Sequence, residues 1–329
     1  MAIANTTPYA VQAVPYLAPD GSETVLVVVK ATFRKTGGRI LLSDDQVPVR
    51  IAEVPGYPDA PESSVRYPSD VGGEKRGTDV VVVGSAVSSR PVKAAGVAVR
   101  VRERTVGLRV HGERLYYRGL TGVAVSAAAP FERKPIEYER AYGGTTADFA
   151  IVERRNPVGR GVARRASDLV DRPAPQIEDP AEPITGAGGS PEPVGFGAIA
   201  SHWLPRSDFF GTLDDAWKAT RMPLFPLDFD ERYFNVAHPR LQFQRHLDGS
   251  DAIAVLGMHT EGLWRVELPT MRVTIRGIRD DGARLSAQPP IDVVLVEPEA
   301  ERIEMVARHL LPKGRGRTLL REVGVDGGS

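Results

Sequence analysis

Thirty-three glycines and 27 prolines are spread through a chain of 329 residues, and that punctuation limits what the chain can fold into. A glycine costs a helix interior about 1 kcal/mol and a proline about 3 kcal/mol, so long helices are disfavoured over most of the length. Short strands joined by turns tolerate the same residues. Residues 23–35 read ETVLVVVKATFRK, rich in β-branched side chains, and follow the turn signal Pro19, Asp20, Gly21. Residues 39–42 and 47–54 continue as short strands. Residues 78–85 (TDVVVVGS) are apolar nearly throughout, as a strand buried on both faces would be. In 97–110, Val97, Val99 and Val101 alternate with Ala98, Arg100 and Arg102, the period of a half-exposed sheet. A tight turn at Glu103 and Arg104 would pair its two halves. Residues 113–117 and 119–129 read as further strands.

Past the middle the strands return at 252–256, 263–268 and 271–277. Residues 291–296 and 302–307 are joined by Glu297, Pro298, Glu299, Ala300 and Glu301 as a hairpin. One helix is expected, with Thr212 as its cap, Asp215 three residues on, Leu213 and Trp217 one turn apart, and Pro223 as its stop. Between the two strand-rich stretches the composition changes. Residues 130–161 mix aromatics, charges and glycines, and Pro173, Pro175, Pro180, Pro183, Pro191 and Pro193 crowd the segment 172–197. So long a loop is either functional or an interdomain connection. The expected architecture is mainly β, with two strand-rich, sandwich-like lobes, a loop-rich centre and few short helices. The divisions fall at 1–130 for the first lobe, 131–205 for the centre, 206–312 for the second lobe, and 313–329 for a disordered tail.

Charge narrows the function. Forty-two Lys and Arg balance 42 Asp and Glu, whereas a dedicated nucleic-acid binder or polybasic membrane protein needs a field of one sign. The absence of cysteine excludes disulfides, thiolate metal sites and cysteine nucleophiles. Residues 1–10 have neither the basic nor the apolar region of a signal peptide, and apolar runs such as 25–29 are far too short to span a bilayer. A soluble, cytoplasmic protein without membrane insertion is the expectation.

Catalytic motifs are missing. The six histidines, His111, His202, His238, His246, His259 and His309, form no H-x-x-x-H pair on an expected helix. His238 and His246 lie near Asp248, but ordinary surface or core histidines account for them, and no metal or cofactor is expected. Asp228, Phe229 and Asp230 form a D-x-D triplet of the kind that holds a divalent cation; in a proline-bounded loop, a turn or helix cap explains it. No G-x-S-x-G elbow or phosphate-binding glycine loop is present, and Gly195, Phe196 and Gly197 read as a turn. Arg154, Arg155, Arg160, Arg164 and Arg165 stand within 12 residues, either a site for an acidic partner or a solvated charged face. The richest segment is 139–161, where glycines sit beside tyrosine and arginine. It is either a shaped recognition surface or a rigid interdomain joint. Arg140, Tyr142, Gly143, Gly144, Asn156 and Arg160 are its candidate partner-binding residues.

Short segments in one order resemble a known family. They are Asn5 to Pro8; Arg66, Tyr67, Pro68, Ser69 and Asp70 with Lys75, Gly77, Thr78 and Asp79; Glu139, Arg140, Ala141, Tyr142, Gly143 and Gly144; Asn156, Pro157, Val158, Gly159, Arg160 and Gly161; Gly195 to Gly197 with Trp203; and Pro226 to Asp230 with Tyr233, Phe234 and Asn235. With the closing hairpin they span about residues 5 to 308. The chain resembles the uncharacterised-domain proteins encoded in type VI secretion clusters, beside genes for PAAR-repeat, spike and toxin-effector proteins. The resemblance implies a cytoplasmic adaptor or chaperone, not an enzyme. It would hold a cognate toxin effector and help load it onto the PAAR-repeat or spike protein, without catalytic residues or cofactor. Two other readings stay open. A carbohydrate-active or other hydrolytic β enzyme would need two carboxyls roughly 5–10 Å apart in a cleft, and a structural part of the secretion apparatus would need regular self-assembly.

Overall fold

The structure, a computed structural model, describes residues 2–313 and 320–327. The chain is mainly β with few short helices, as expected. Its longest strand, Glu23–Thr36, is the β-branched run read from the sequence, and residues 24–33 are all buried. Ala10–Leu17 pairs along one edge of it and Arg302–Pro312 along the other, both antiparallel, while Arg39–Leu42 folds back on its end. Arg302–Pro312 returns through the expected hairpin to Ile291–Glu297. Thr78–Val82 then lies parallel to Ile291–Glu297, and Gln242–Phe243 completes a seven-stranded sheet.

A five-stranded sheet runs in the order Ile177–Glu178, Arg104–His111, Ala94–Val101, Ala252–Leu256, Leu263–Glu267. The expected turn near residue 103 is there, with Arg102 in the left-handed region at φ 53°, and Val97, Val99 and Val101 face inward. A third sheet joins Ala2–Asn5, Leu320–Gly327, Val273–Arg279 and Arg284–Ala287. Apolar side chains from all three sheets merge into one buried cluster.

Each large sheet takes strands from both the 1–130 and the 206–312 stretches, so cuts at residues 130 and 205 do not separate the sheets. Nor is the proline-rich centre a free connection. Residues 174–178 are buried, Ile177–Glu178 pairs with Arg104–His111, and Glu178 accepts hydrogen bonds from Arg114 and the Ile184 N–H and meets His111 at 2.7 Å. Burial pushes the Glu178 carboxyl up, but these partners bring it down to about 2.

Other expectations need correction. Residues 47–53 are irregular, and a strand begins only at Val54–Tyr57, because the Arg50 N–H is taken by the Asp70 carboxylate at 2.7 Å instead of a neighbouring strand. The helix is Asp215–Thr220, capped by Asp214 accepting from the Trp217 N–H at 2.8 Å. Thr212 is not its cap, since it bonds to Asp228 through both its N–H and its hydroxyl. The disordered tail is overturned at 320–327: Leu320–Gly327 is a paired strand with Val323 and Val325 buried. The rest of that tail, 314–319 and 328–329, lies outside the described residues.

One face of the seven-stranded sheet carries buried charge. Lys30, without solvent exposure, places Nζ 2.8 Å from Asp70 Oδ2 and 2.9 Å from Glu304 Oε2. Arg50 grips Glu304 with both Nη atoms. Burial works to raise the Glu304 pKa, yet Arg50 and Lys30 hold it below the usual carboxylate value. Removing one member of a buried ion group leaves its partner desolvated and unpaired, which costs about 3–5 kcal/mol. Lys30→Met is expected to lower unfolding free energy by that amount in urea titrations, and adding Asp70→Asn to recover part of it.

Candidate functional site

The segment 138–162 is organised by Asn156. This side chain is fully buried, and its Nδ2 donates to the carbonyls of Tyr138 and Tyr142, both at 2.8 Å. The Asn156 carbonyl accepts from the Gly144 N–H at 2.8 Å. Tyr142–Gly143 and Arg160–Gly161 form a two-residue parallel pair across it. Gly143 has φ 146°, and a Cβ there would lie 2.2 Å from the Asn156 carbonyl oxygen, so no other residue fits without moving the clamp.

The clamp closes the base of a short loop. Thr145 and Val152 bridge, the Thr146 N–H donates to Ile151 O at 2.9 Å, and the Ile151 N–H returns to Thr146 Oγ1 at 3.0 Å. Asp148 Oδ1 accepts from Thr146 Oγ1 and the Ala150 N–H. At the tip stands Phe149, 78% exposed, with φ 56°. Positive φ is uncommon for a bulky residue and costs of order 1–3 kcal/mol. Ile151 and Val152 are exposed beside it. Residues with little freedom to move thus hold an apolar side chain out in water.

The six residues singled out from the sequence separate into two groups. Tyr142, Gly143, Gly144 and Asn156 are buried and build the clamp. Arg140 and Arg160 reach solvent, with side chains 20% and 26% exposed. Arg140 donates to Gln176 Oε1 at 2.9 Å and lies 3.5 Å from Glu113 and 3.6 Å from Glu137. Arg160 shares Glu113 at 3.8 Å, and burial together with the Arg140 charge lowers its pKa. Glu139, by contrast, takes the N–H and hydroxyl of Ser64. The arginines of 154–165 do not converge on one anion: Arg154 meets Asp208, Arg155 meets Glu153, and Arg164 meets Asp148. Phe149, the most exposed aromatic of the segment, went unremarked in the sequence; its signal was a short apolar run, Phe149 to Val152, between two glycine-rich turns.

The other candidates have structural partners. Asp228 holds Thr212, and Asp230 caps the turn Glu231–Phe234 by accepting from the Arg232 N–H. His246 Nδ1 lies 3.1 Å from Ile291 O, and Asp248 accepts from Ser250. Among the described residues, no group of three or more His, Asp or Glu is placed to hold a metal ion. No helix among them is long and apolar enough to cross a membrane.

Two outcomes follow from this geometry. Asn156→Ala removes the donor that Nδ2 gives to the Tyr142 carbonyl and one of the two donors of the Tyr138 carbonyl, which keeps the Ala141 N–H. A buried acceptor left unpaired costs about 1–3 kcal/mol, so unfolding free energy is expected to fall by about that amount in denaturant titration. His238 is buried and caps Pro239–Leu241 by accepting from the Arg240 N–H. Burial, then the Arg240 charge, lowers its pKa to about 4. Between about pH 6.5 and 4 the unfolded chain therefore binds a proton that the folded chain refuses. Its contribution is intact above the unfolded value and falls as pH drops, by up to about 3 kcal/mol. His238→Asn keeps an acceptor at the cap without that titration. Urea midpoints of the variant are expected to decline less over this range than those of the parent.

No curated protein matches the chain, and no solved structure does. Residues 20–308 match one family, described as an uncharacterized protein conserved in bacteria (DUF2169). The match takes in the five-stranded sheet, most of the seven-stranded sheet, the Asn156 clamp and the loop it supports. The chain belongs to that bacterial family.

Proposed function

We propose that the chain is a non-catalytic adaptor that binds a cognate secreted effector and helps load it onto a type VI secretion spike. The observation that carries this reading is Phe149, held 78% exposed at φ 56° on a loop whose base is locked by Asn156. Solvent gives an exposed phenylalanine no reward, whereas a partner gains area from a side chain already fixed in place. Ile151 and Val152 extend the apolar tip, and the Arg164–Asp148 pair sets charge beside it. An apolar centre with a polar rim is the usual anatomy of a protein interface. A specific complex would bury about 1,200–2,000 Å² in total, so Arg140 and Arg160 belong to a wider contact around the tip.

The enzymatic reading has one observation behind it. Asp292 is buried, and desolvation raises its pKa, as a general acid requires. Its neighbour Asp79, however, has Oδ2 occupied by Lys75 at 2.5 Å and by the Val236 N–H at 2.5 Å. That carboxylate is a structural anchor, and the adaptor reading is preferred.

Co-expression with the products of neighbouring genes, followed by affinity capture, tests the proposal. One effector or spike product is expected to co-purify with the chain. Phe149→Ala is expected to weaken that capture by about 2 kcal/mol, near 30-fold, with an unchanged melting temperature. Capture that survives Phe149→Ala undiminished would remove the tip from the interface.

A further inference from the structure

Between the seven-stranded sheet and the segment 201–236 lies a second feature, which does not rest on the adaptor reading. It is a cavity of about 450 Å³, within the usual range of small-ligand sites of about 300–1,000 Å³. Phe210, Phe225, Tyr233 and Phe234 form one wall. Their rings pack at fixed spacings, 5.0 Å between Phe210 and Tyr233 and 6.3 Å between Phe225 and Phe234. Two of the polar groups in the lining satisfy each other: Arg206 donates to Glu53 at 2.8 Å, and Glu53 also accepts from the Ser201 N–H.

Arg308 is different. It projects from Arg302–Pro312 into the same cavity with its side chain 1% exposed. Its Nε and Nη2 are buried and donate to no acceptor. Asp292 Oδ1 is 3.1 Å from Nη2, but the two are not aligned for a hydrogen bond. A buried donor left unpaired costs about 1–3 kcal/mol, more when charged, so a guanidinium in this state is set to receive an acceptor. Gly72 keeps it accessible, since a Cβ there would lie 3.1 Å from Nη1. The segments around Arg66 to Asp79 and Pro226 to Asn235 meet at this cavity, through Ser69, Val71 and Gly72 on one side and Tyr233 and Phe234 on the other.

We propose that this cavity binds a ligand with a carboxylate on an apolar body of aromatic size, the carboxylate on Arg308 and the body against Phe210, Phe225 and Phe234. The guanidinium fork matches a carboxylate in two parallel hydrogen bonds, and the ring wall supplies the apolar complement. Two electrostatic observations agree. Burial pushes the Tyr16 hydroxyl up to about 12 while the Arg308 charge pulls against it, so the guanidinium field reaches the cavity lining. Burial also raises the Asp292 pKa against the pull of Arg308 and Lys75, which weakens the carboxylate that lies 3.1 Å from Arg308.

Calorimetric titration of the whole chain tests this with three probes: 3-phenylpropionate, N-acetylphenylalanine, and the neutral N-acetylphenylalanine amide. Both acids are expected to bind, and the amide at least about tenfold more weakly. Tighter binding of N-acetylphenylalanine would assign the site to a chain terminus, and tighter binding of 3-phenylpropionate to a free small acid. Arg308→Met with Asp292→Asn removes both charges together, so neither is left buried alone; it is expected to abolish the preference for acid over amide. Phe225→Ala, which leaves the charges in place, is expected to weaken both acids several-fold and serves if the double variant does not fold. No binding of either acid, or equal binding of acid and amide, overturns the proposal.

Discussion

A lysine with no solvent contact sits in the middle of the largest sheet, and much of the surrounding architecture answers to it. Lys30 Nζ lies within hydrogen-bond reach of Asp70 and Glu304, and Asp70 comes from a loop distant in sequence. The segments that carry Arg50 and Asp70 must therefore lie across that face. Arg50 ties the same loop to Glu304, Lys75 pairs with Asp79, and Arg308 faces Asp292. Buried pairs of this kind add little net stability over apolar packing, but breaking one is expensive. Their effect is to make one placement of the loop far better than any alternative.

The same accounting of buried polar atoms distinguishes the two sites. At the clamp, Asn156 Nδ2 has both of its acceptors, although its Oδ1 is buried without a donor; the paired amide nitrogen fixes the geometry of the turn. At Arg308, which lines a cavity, two donors make no hydrogen bond, although Nη2 lies 3.1 Å from Asp292 Oδ1. One site is built to hold shape and the other to gain a contact. The exposed Phe149 is a third case, in which rigidity at the base is converted into a fixed apolar projection at the tip.

How much of this could be read from the sequence depended on whether the signal was local. The strand Glu23–Thr36 was legible because a β-branched run after a turn signal needs no partner to be recognised, whereas the partners of Lys30 lie on segments distant in sequence. The hairpin at 94–111 was legible from its alternation. Ala10–Leu17 was not, because Pro15 argues against a strand; it is tolerated since this strand lies at the edge of the sheet. Leu320–Gly327 escaped because its few apolar residues gain meaning only against Val273–Arg279. The interleaving of the sheets was invisible for the same reason, since Arg302–Pro312 finds its partner about 280 residues away. The segment around Asn156 was singled out by residue type, as glycines beside tyrosine and arginine. That its glycines and asparagine face inward, while Phe149 faces out, is a fact of three dimensions alone.

Photo-crosslinking tests the adaptor reading most directly. Phe149 can be replaced by the photoreactive, similarly shaped p-benzoylphenylalanine, and Leu120, fully exposed at the tip of a different hairpin, serves as the control position. On irradiation of the co-expressed complex, position 149 is expected to form a covalent adduct with the effector or spike product, and position 120 is expected to form none. Equal adducts from both positions, or an adduct from position 120 alone, would contradict a docking surface built on the clamped loop.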